Sequence, residues 1–463
     1  MSWGRSIAVA SESFQATYLG VKIFEMGGNA GDVAVGVSLA LTYLLPHLNG
    51  LGGDFLALYE RTGSVKAVLG LGWAPSGVPE RPPELGLRSA VVPGYVRGLW
   101  ELHKALGSME WGKLVGYVID FLERRAVVHP SLAESLSKTP LEGPGAKFYA
   151  SIPREAGAPY KLEGLLHLYR VLADHGPDGF YEALAESLSG DYFTKEDLTQ
   201  YRAEVRDPIA LEYKGWTLYE APPPSLGFAV LLTVRLSGDE LPRDPFSYGR
   251  IRAVVKAARK AHWARDRYLG DAPAPIDKLL GGEVELGEAE APRPTPGTTY
   301  LAVADREVSI SAIQSLYYNF GSRYVEGRWG VVLNNRASDF TTGVNAAAPR
   351  KRPAHTLSAL VAVKGDQTAV LGSSAAHYRP VVYAQLVQNL VDYSMDPRRV
   401  VWSPRFIWVG GWKAVAERGY EAGPDVEFVD YPSRLGVAAL AIRRGASLAA
   451  VADIRGDGAA LSV

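Results

Sequence analysis

The 463-residue chain contains no cysteine, which excludes disulfide bonds, thiolate metal sites and a cysteine nucleophile. Covalent catalysis by this chain would therefore use a serine, threonine, lysine or carboxylate side chain. A strong charge of either sign is also absent, because 49 Lys and Arg residues balance 50 Asp and Glu residues. Without a basic cluster, we do not expect nucleic acid as a partner.

Long apolar segments are missing as well. No stretch of about 18 apolar residues occurs, and the first twelve residues lack the apolar run and small-residue cleavage site of a signal peptide. We therefore expect a cytoplasmic protein that does not bind a membrane. Glycine and proline number 49 and 30, too few for a low-complexity chain, and the apolar fraction of 47% is typical of an ordered globular protein.

Standard catalytic motifs are absent from the sequence. We find no HExxH, no GxSxG and no completed GxGxxG pattern, so no motif indicates a zinc protease or an α/β-hydrolase. We expect neither a metal nor a cofactor.

The chain changes character at residues 271–297, which are rich in proline and acidic residues. We expect this segment to be exposed and mobile. Before it, apolar residues recur at helical spacing, most clearly in 14–26, 32–45, 95–106, 111–124 and 251–269. After it, short apolar runs predict strands, including 298–305, 308–314 and 331–333. This order predicts an α+β fold of layered sheets with helices on both outer faces.

The end of this segment, Gly297-Thr298-Thr299, offers a chemically coherent nucleophile. If the bond between Gly297 and Thr298 is cut, Thr298 carries a free α-amine beside its hydroxyl. An α-amine has a pKa of about 7.7–8.0, so it can act as the general base near neutral pH, and no histidine is required. The competing interpretation is that the junction is an ordinary linker.

Several segments occur together in the order of one known family. They include 22–36 (KIFEMGGNAGDVAVG), 46–55 (PHLNGLGGDF), 221–227 (APPPSLG), Thr298-Thr299, 333–335 (LNN), 351–353 (KRP) and 404–406 (PRF). Along nearly its whole length the chain thus resembles the γ-glutamyltranspeptidase family of N-terminal-nucleophile hydrolases.

The resemblance implies a four-layer αββα sandwich made as a single precursor. Such a precursor cuts itself before the nucleophile, leaving a large portion (residues 1–297) and a small portion (298–463) that stay associated as one globular unit. It also implies that Thr298 is acylated by the γ-glutamyl group of a glutathione-type amide, and that the acyl group passes to water, an amino acid or a dipeptide.

Further residue roles follow from the resemblance alone. Ser315 takes the place of a hydroxyl residue that assists the nucleophile, and Ala375-Ala376 replaces the glycine pair whose amides form the oxyanion hole. Among the groups that bind the substrate, Asp339 is kept. The other positions differ from the family: Tyr317 replaces an asparagine, Arg336 a glutamine, His355-Thr356 a serine pair, and Tyr300 a histidine.

The arginine that binds the substrate carboxylate in the family aligns with Leu71. Without that charge pair we expect glutamate recognition to fail even if catalysis persists, because a buried bidentate pair is worth several kcal/mol. Arg336 could supply a positive charge from another direction, or could be a solvated surface charge. His355 and His377 are candidate pocket bases or packed polar residues.

Two functions of different classes therefore remain open. The first is an active acyltransferase or amidohydrolase, with γ-glutamyl or with altered, cephalosporin-acylase-like specificity for small amides. The second is a catalytically silent member of the family that serves as a binding or assembly protein. A homo-oligomer is possible in either case.

Overall fold

A computed structural model describes residues 1–292 and 297–463 of the protein. The strands before residue 293 are β1 (Ser2–Gly4), β2 (Ile7–Ser11), β3 (Asp54–Arg61), β4 (Ser64–Gly70), β5 (Glu204–Arg206), β6 (Ile209–Tyr213) and β7 (Trp216–Glu220). The helices before residue 293 are α1 (Phe14–Glu25), α2 (Ala30–Leu44), α3 (Tyr95–Leu106), α4 (Trp111–Arg125), α5 (Pro130–Lys138), α6 (Ala146–Ala150), α7 (Glu163–Leu188), α8 (Lys195–Thr199), α9 (Gly227–Gly238), α10 (Tyr248–Tyr268) and α11 (Ile276–Gly281).

Strands dominate the part of the chain after residue 296. They are β8 (Thr298–Asp305), β9 (Val308–Ser315), β10 (Leu360–Lys364), β11 (Gln367–Ser373), β12 (Phe406–Gly410), β13 (Lys413–Glu417), β14 (Val426–Val429), β15 (Ala438–Arg444), β16 (Ser447–Ala452) and β17 (Ala459–Ser462). Helices α12 (Arg379–Val391) and α13 (Pro397–Trp402) interrupt them, and short 3₁₀ turns lie at Leu87–Ser89, Arg336–Asp339, Gly343–Asn345 and Ala376–Tyr378.

Two seven-stranded antiparallel sheets form the centre of the protein. One has the order β1-β16-β15-β11-β10-β7-β6, and the other, called the nucleophile sheet below, has the order β17-β2-β8-β9-β3-β4-β5. Both sheets interleave strands from the two sides of residue 297. In the nucleophile sheet, β8 and β9 lie between β2 and β3, and β17 pairs with β2 along the outer edge. In the other sheet, β10 pairs with β7 and β16 pairs with β1.

The apolar core has three main layers. Small residues such as Ala302 and Ala441 fill the space between the two sheets. The outer face of the nucleophile sheet packs against α1 to α4 and α7, and the outer face of the other sheet packs against α9, α10, α12 and α13. The four-layer αββα architecture that the resemblance implied is therefore confirmed.

Helix α2 shows why a nearly uniform apolar sequence forms a helix here. Every one of its 15 residues is buried, because it is packed between the nucleophile sheet and the other helices of its layer. Asn29 and Asp32 form a reciprocal capping box at its start, which satisfies backbone donors that the first turn leaves free.

The expectation of an exposed segment at 271–297 is wrong in part. Residues Ile276–Gly281 form α11, and Leu279 is buried against a cluster that includes Leu226 and Phe228. Residues 293–296, which belong to the same segment, lie outside the described residues. Within the described ranges, no helix is long and apolar enough to cross a membrane.

Candidate active site

Thr298 is the first residue of β8 and lies at the end of the nucleophile sheet. It is paired with Ser315, the last residue of β9, and Ser315 is paired in turn with Asp54, the first residue of β3. Tyr300, two positions after Thr298, points into the core between the sheets. Because side chains alternate along a strand, Thr298 faces the same side. The side chain of Thr298 therefore lies between the two sheets, where only 3% of the residue is exposed.

The hydroxyl of Ser315 joins Thr298 to the peptide bond before it. Thr298 Oγ1 donates to Ser315 Oγ at 3.1 Å, and Ser315 Oγ donates to the carbonyl oxygen of Gly297 at 2.6 Å. The amide of Tyr317 donates to the same Ser315 oxygen at 2.8 Å, so its one donor and two acceptor positions are all used. A serine held in this way fixes the orientation of the Thr298 hydroxyl and polarises the Gly297 carbonyl.

Gly297 occupies a position that only glycine fits. Its φ is +135°, a conformation that residues with a Cβ rarely adopt. A Cβ on Gly297 would also lie 2.5 Å from the carbonyl carbon of Tyr318. The peptide bond before Thr298 is therefore held in a backbone conformation that other residues would disturb.

A cavity of about 350 Å³, called the nucleophile cavity below, opens beside Thr298. This volume lies in the range of small-molecule sites. Ala375 and Ala376 line it together with Gly297 and Thr298, so the structure brings together the predicted nucleophile and the predicted oxyanion residues. Ala376 has a φ of +47°, in the left-handed region that favours glycine.

The nucleophile cavity also contains two buried ionisable side chains that the sequence analysis missed. Glu12 follows β2 directly and accepts a hydrogen bond from the amide of Tyr300 at 2.9 Å, and burial raises its pKa to about 8. His47 is buried, and burial lowers its pKa to about 3. Both groups are therefore uncharged at neutral pH, so neither of them places a charge on the cavity wall near Thr298.

Several other predicted site residues line a second, smaller cavity. Asp339, His355, Thr356 and His377 line a space of about 60 Å³, called the aspartate cavity below, which has room for a few water molecules. Thr298 is not among its lining residues. The structure thus places predicted site residues on two cavities, whereas Ser315, Tyr317 and Arg336 line neither.

Tyr317 contacts two residues that line the aspartate cavity. Its hydroxyl donates to Asp339 Oδ1 at 3.0 Å and lies 3.0 Å from His377 Nε2. Burial raises the pKa of Asp339, although Arg336 and Arg265 oppose this effect. Burial and the nearby Arg265 guanidinium lower the pKa of His377 well below its usual value, so this imidazole is neutral.

Arg336 is wholly buried, so the interpretation of it as a solvated surface charge is wrong. Its guanidinium carbon lies 4.2 Å from the centre of the Tyr317 ring. Its Nε donates to Asp54 Oδ2 at 3.4 Å, and its Nη1 lies 4.0 Å from Asp339 and donates to Thr356 Oγ1 at 3.2 Å. Attraction to the carboxylates of Asp54 and Asp339 stabilises this side chain in its buried position, which accounts for its burial.

Asp54 is the second partner of Arg336, and the sequence analysis did not single it out. Burial alone would raise its pKa, but His355, 3.4 Å away, and Arg336 outweigh burial and hold the pKa below its usual value. The only sequence signal was its position after the Gly50–Gly53 run. Its pairing with residues some 280 positions later is a property of the fold.

Comparison with known proteins agrees with this arrangement. Residues 16–463 match the family described as Gamma-glutamyltranspeptidase. The chain belongs to the γ-glutamyltranspeptidase family. Its class is therefore that of the N-terminal-nucleophile amidohydrolases and acyltransferases.

Individual relatives of this γ-glutamyltranspeptidase-family protein differ in their named activities. It is 30% identical to the glutathione hydrolase-like YwrD proenzyme of Bacillus subtilis, with 99% of each chain covered. It is 27% identical to the oxamate amidohydrolase proenzyme of Klebsiella pneumoniae, with 96% of each covered. The crystal structure of cephalosporin acylase from Bacillus halodurans superposes with a TM-score of 0.91 at 25% identity, covering 100% of this chain and 96% of that one.

Leu71 has no charged role in this family member. It is buried in the core between the sheets, and its carbonyl accepts a hydrogen bond from the Tyr201 hydroxyl at 3.0 Å. Within residues 1–292 and 297–463, no group of three or more His, Asp or Glu residues is arranged to hold a metal ion.

Proposed function

We propose that this protein cuts its own chain between Gly297 and Thr298 and then hydrolyses or transfers small acyl amides through an ester on Thr298. The observation that carries the proposal is the Ser315 hydroxyl, which contacts both the Thr298 hydroxyl and the Gly297 carbonyl oxygen. The products of the cut are a large portion, residues 1–297, and a small portion, residues 298–463. The interleaved strands keep them together.

The geometry at Gly297 supports the proposed cut. Thr298 Oγ1 attacks the Gly297 carbonyl carbon while Ser315 stabilises the developing negative charge on the carbonyl oxygen. The C–N bond then breaks, the hydroxyl proton passes to the Thr298 nitrogen, and an ester joins Gly297 to Thr298 Oγ1. Water hydrolyses this ester, leaving a carboxylate on Gly297 and a free amine on Thr298.

Turnover uses the new amine as the general base. The amine takes the proton of Thr298 Oγ1 as this oxygen attacks the substrate amide carbon. The backbone N–H groups of Ala375 and Ala376 stabilise the oxyanion, because replacing glycine by alanine leaves these donors in place. The leaving amine receives the proton, and water or an acceptor amine then releases the acyl group from Thr298.

The names of the relatives suggest several acyl donors. Glutathione hydrolases, an oxamate amidohydrolase and a cephalosporin acylase all act on amides, so a glutathione-type γ-glutamyl amide is one candidate among several. The predictions of a cytoplasmic location, a role in glutathione metabolism and a possible homo-oligomer remain predictions.

The decisive experiment compares Thr298→Ala with Thr299→Ala. Intact mass spectrometry and N-terminal sequencing should find two fragments in the wild type, the smaller starting at Thr298, and a single 50.0 kDa chain in Thr298→Ala. Thr299 is the matched control, because its buried Oγ1 has no hydrogen-bond partner among the described residues and its loss breaks no bond.

Thr299→Ala should still be cut at the same bond. A Thr298→Ala chain that splits after Gly297 would disprove the mechanism. A wild-type chain that stays intact for days at working temperature would favour the alternative, a silent family member that acts as a binding or assembly protein.

A further inference from the structure

We propose that the acyl donor has no ammonium group on its acyl chain, and that this chain lies in the nucleophile cavity rather than against Asp339. The inference rests on the proposed function and specifies its substrate class. It follows from the different contents of the two cavities.

The side chains of the protein itself already occupy the position where Asp339 would hold an ammonium group. The Tyr317 hydroxyl donates to Asp339 Oδ1 at 3.0 Å, and Arg336 Nη1 lies 4.0 Å from its other oxygen. A substrate ammonium would have to displace the hydroxyl and approach a guanidinium that is fully buried. Displacing satisfied buried groups removes the gain from a new ion pair.

The charge around the aspartate cavity also opposes a cation. Arg265 lines this space, with its Nη1 3.2 Å from His377 Nδ1, and Arg336 contacts two of the lining residues, Asp339 and Thr356. The carboxylates that face it are Asp266, which pairs with Arg265, and Asp339. The volume of about 60 Å³ leaves room for a few water molecules but not for an amino-acid head group.

The nucleophile cavity has the opposite character. It is almost six times larger, and much of its wall is apolar, formed by Leu45, Leu48, Tyr378, Ile407, Leu435 and Val437. An apolar acyl chain gains about 0.8 kcal/mol for each CH₂ group that it buries.

The charged side chains of this wall do not form a cation site. Arg434 stands at its exposed edge, and the carboxylate of Asp457 already accepts a hydrogen bond from the Ser131 amide at 3.0 Å. Arg455 is paired with Glu417 and Asp453. An ammonium group would lose its hydration here, and among these side chains the offset would come from Asp457, whose carboxylate is already shared with the Ser131 amide.

The test uses pairs of p-nitroanilides in which a methyl group replaces the ammonium group at the same carbon. One pair is pentanoyl and 4-aminobutanoyl, and the other is 4-carboxypentanoyl and γ-glutamyl. We expect kcat/KM to be at least tenfold higher for the methyl member of each pair. Equal or faster turnover of the ammonium members would overturn the inference.

A second measurement separates this inference from the proposed function. p-Nitrophenyl pentanoate, an activated ester, should add one pentanoyl mass to the fragment that starts at Thr298. If no acyl group appears on Thr298, the proposed function itself fails. A third outcome is that the ester acylates Thr298 while no anilide reacts. In that case pentanamide and 4-aminobutanamide are compared as inhibitors of ester turnover. Stronger inhibition by 4-aminobutanamide than by pentanamide would refute the inference.

A variant tests the role of Tyr317 directly. Tyr317→Asn removes the ring and the hydroxyl that donates to Asp339. Asparagine also tolerates the φ of +82° at this position better than tyrosine does. The preference for methyl over ammonium should fall at least threefold. Tyr18→Phe, a change of a partly exposed tyrosine on α1, should leave the preference unchanged. An unchanged preference in Tyr317→Asn would contradict the assignment.

Discussion

The two cavities at the end of the nucleophile sheet differ in how their polar groups are satisfied. Around the aspartate cavity, charged side chains are paired with one another: Arg336 with Asp54 and Asp339, and Arg265 with Asp266. Around the nucleophile cavity, Glu12 and His47 are buried and uncharged, Arg455 is paired with Glu417 and Asp453, and much of the remaining wall is apolar. A closed set of ion pairs holds a structure together, whereas an uncharged, open space leaves room for a ligand.

The largest expected effect is a difference in stability between variants of Arg336, beside the aspartate cavity, and Arg434, on the wall of the nucleophile cavity. Arg336→Met leaves Asp54 and Asp339 without their buried partner, and breaking a buried pair costs about 3–5 kcal/mol. Arg434→Met removes a side chain that is 60% exposed and lies 3.7 Å from Glu134, so it should cost less than about 1 kcal/mol. Urea denaturation of both variants, each in the uncut Thr298→Ala background, measures the difference. Equal stabilities would remove the contrast between the cavities.

A second prediction concerns the uncharged state of Glu12. Its pKa is raised from 4.5 to about 8, so the stability that its protonated form contributes is complete below pH 4.5 and is lost as the pH rises to about 8. Through this window the unfolding free energy should fall by up to about 1.4 kcal/mol per pH unit because of this one group.

Glu12→Gln keeps an oxygen that accepts from the Tyr300 amide but cannot ionise. It should match the wild type at pH 4.5 and become the more stable protein as the pH approaches 8. Thermal unfolding of both proteins in the uncut Thr298→Ala background, at intervals from pH 4.5 to pH 9, checks this. Parallel curves for the two proteins would show that Glu12 is charged in the folded protein.

The smallest effect concerns the alanine pair of the nucleophile cavity. Ala376→Gly relieves the left-handed backbone, worth about 1–2 kcal/mol, and loses about 0.5–1 kcal/mol of chain entropy, so stability should rise slightly. Ala375 has a φ of -89°, so its backbone carries no left-handed strain. Ala375→Gly should therefore lower the stability by about 0.5–1 kcal/mol, the cost in chain entropy alone. The difference between the two melting temperatures is the readout. A less stable Ala376→Gly than Ala375→Gly would contradict the strain argument.

Much of the fold could be predicted from the sequence, because local periodicity dominates it. The helix at 95–106 and the strand at 298–305 are found with the predicted bounds. The order of helices and strands predicted layered sheets with outer helices, and the family resemblance supplied the four-layer αββα arrangement. The expected strand at 331–333 is instead a pair of isolated bridges, Val325 with Val332 and Gly52 with Leu333. Apolar composition there reflects burial in an irregular loop, which periodicity cannot distinguish from a short strand.

The site was less predictable for a physical reason. Thr298 could be found because it lies where the proline-rich acidic segment meets an apolar strand, whereas Ser315 was found from the family resemblance alone. The contact between Tyr317 and Asp339 depends on the direction of the Tyr317 side chain, which leaves a backbone with a φ of +82° that no local pattern indicates. Glu12 and Asp54 are isolated acidic residues in the sequence, and only the pairing of distant strands makes them neighbours of the site.

The interleaving of strands in both sheets has a consequence for how the protein is made. Before the cut, the folding chain closes these sheets within one molecule, at the high effective concentration that a covalent link provides. After the cut, a molecule that unfolds becomes two separate chains, and recovery requires a second-order encounter that slows as the protein is diluted. Cleavage would thus turn a reversible folding reaction into a nearly one-way assembly, and the mature enzyme would persist because it unfolds slowly.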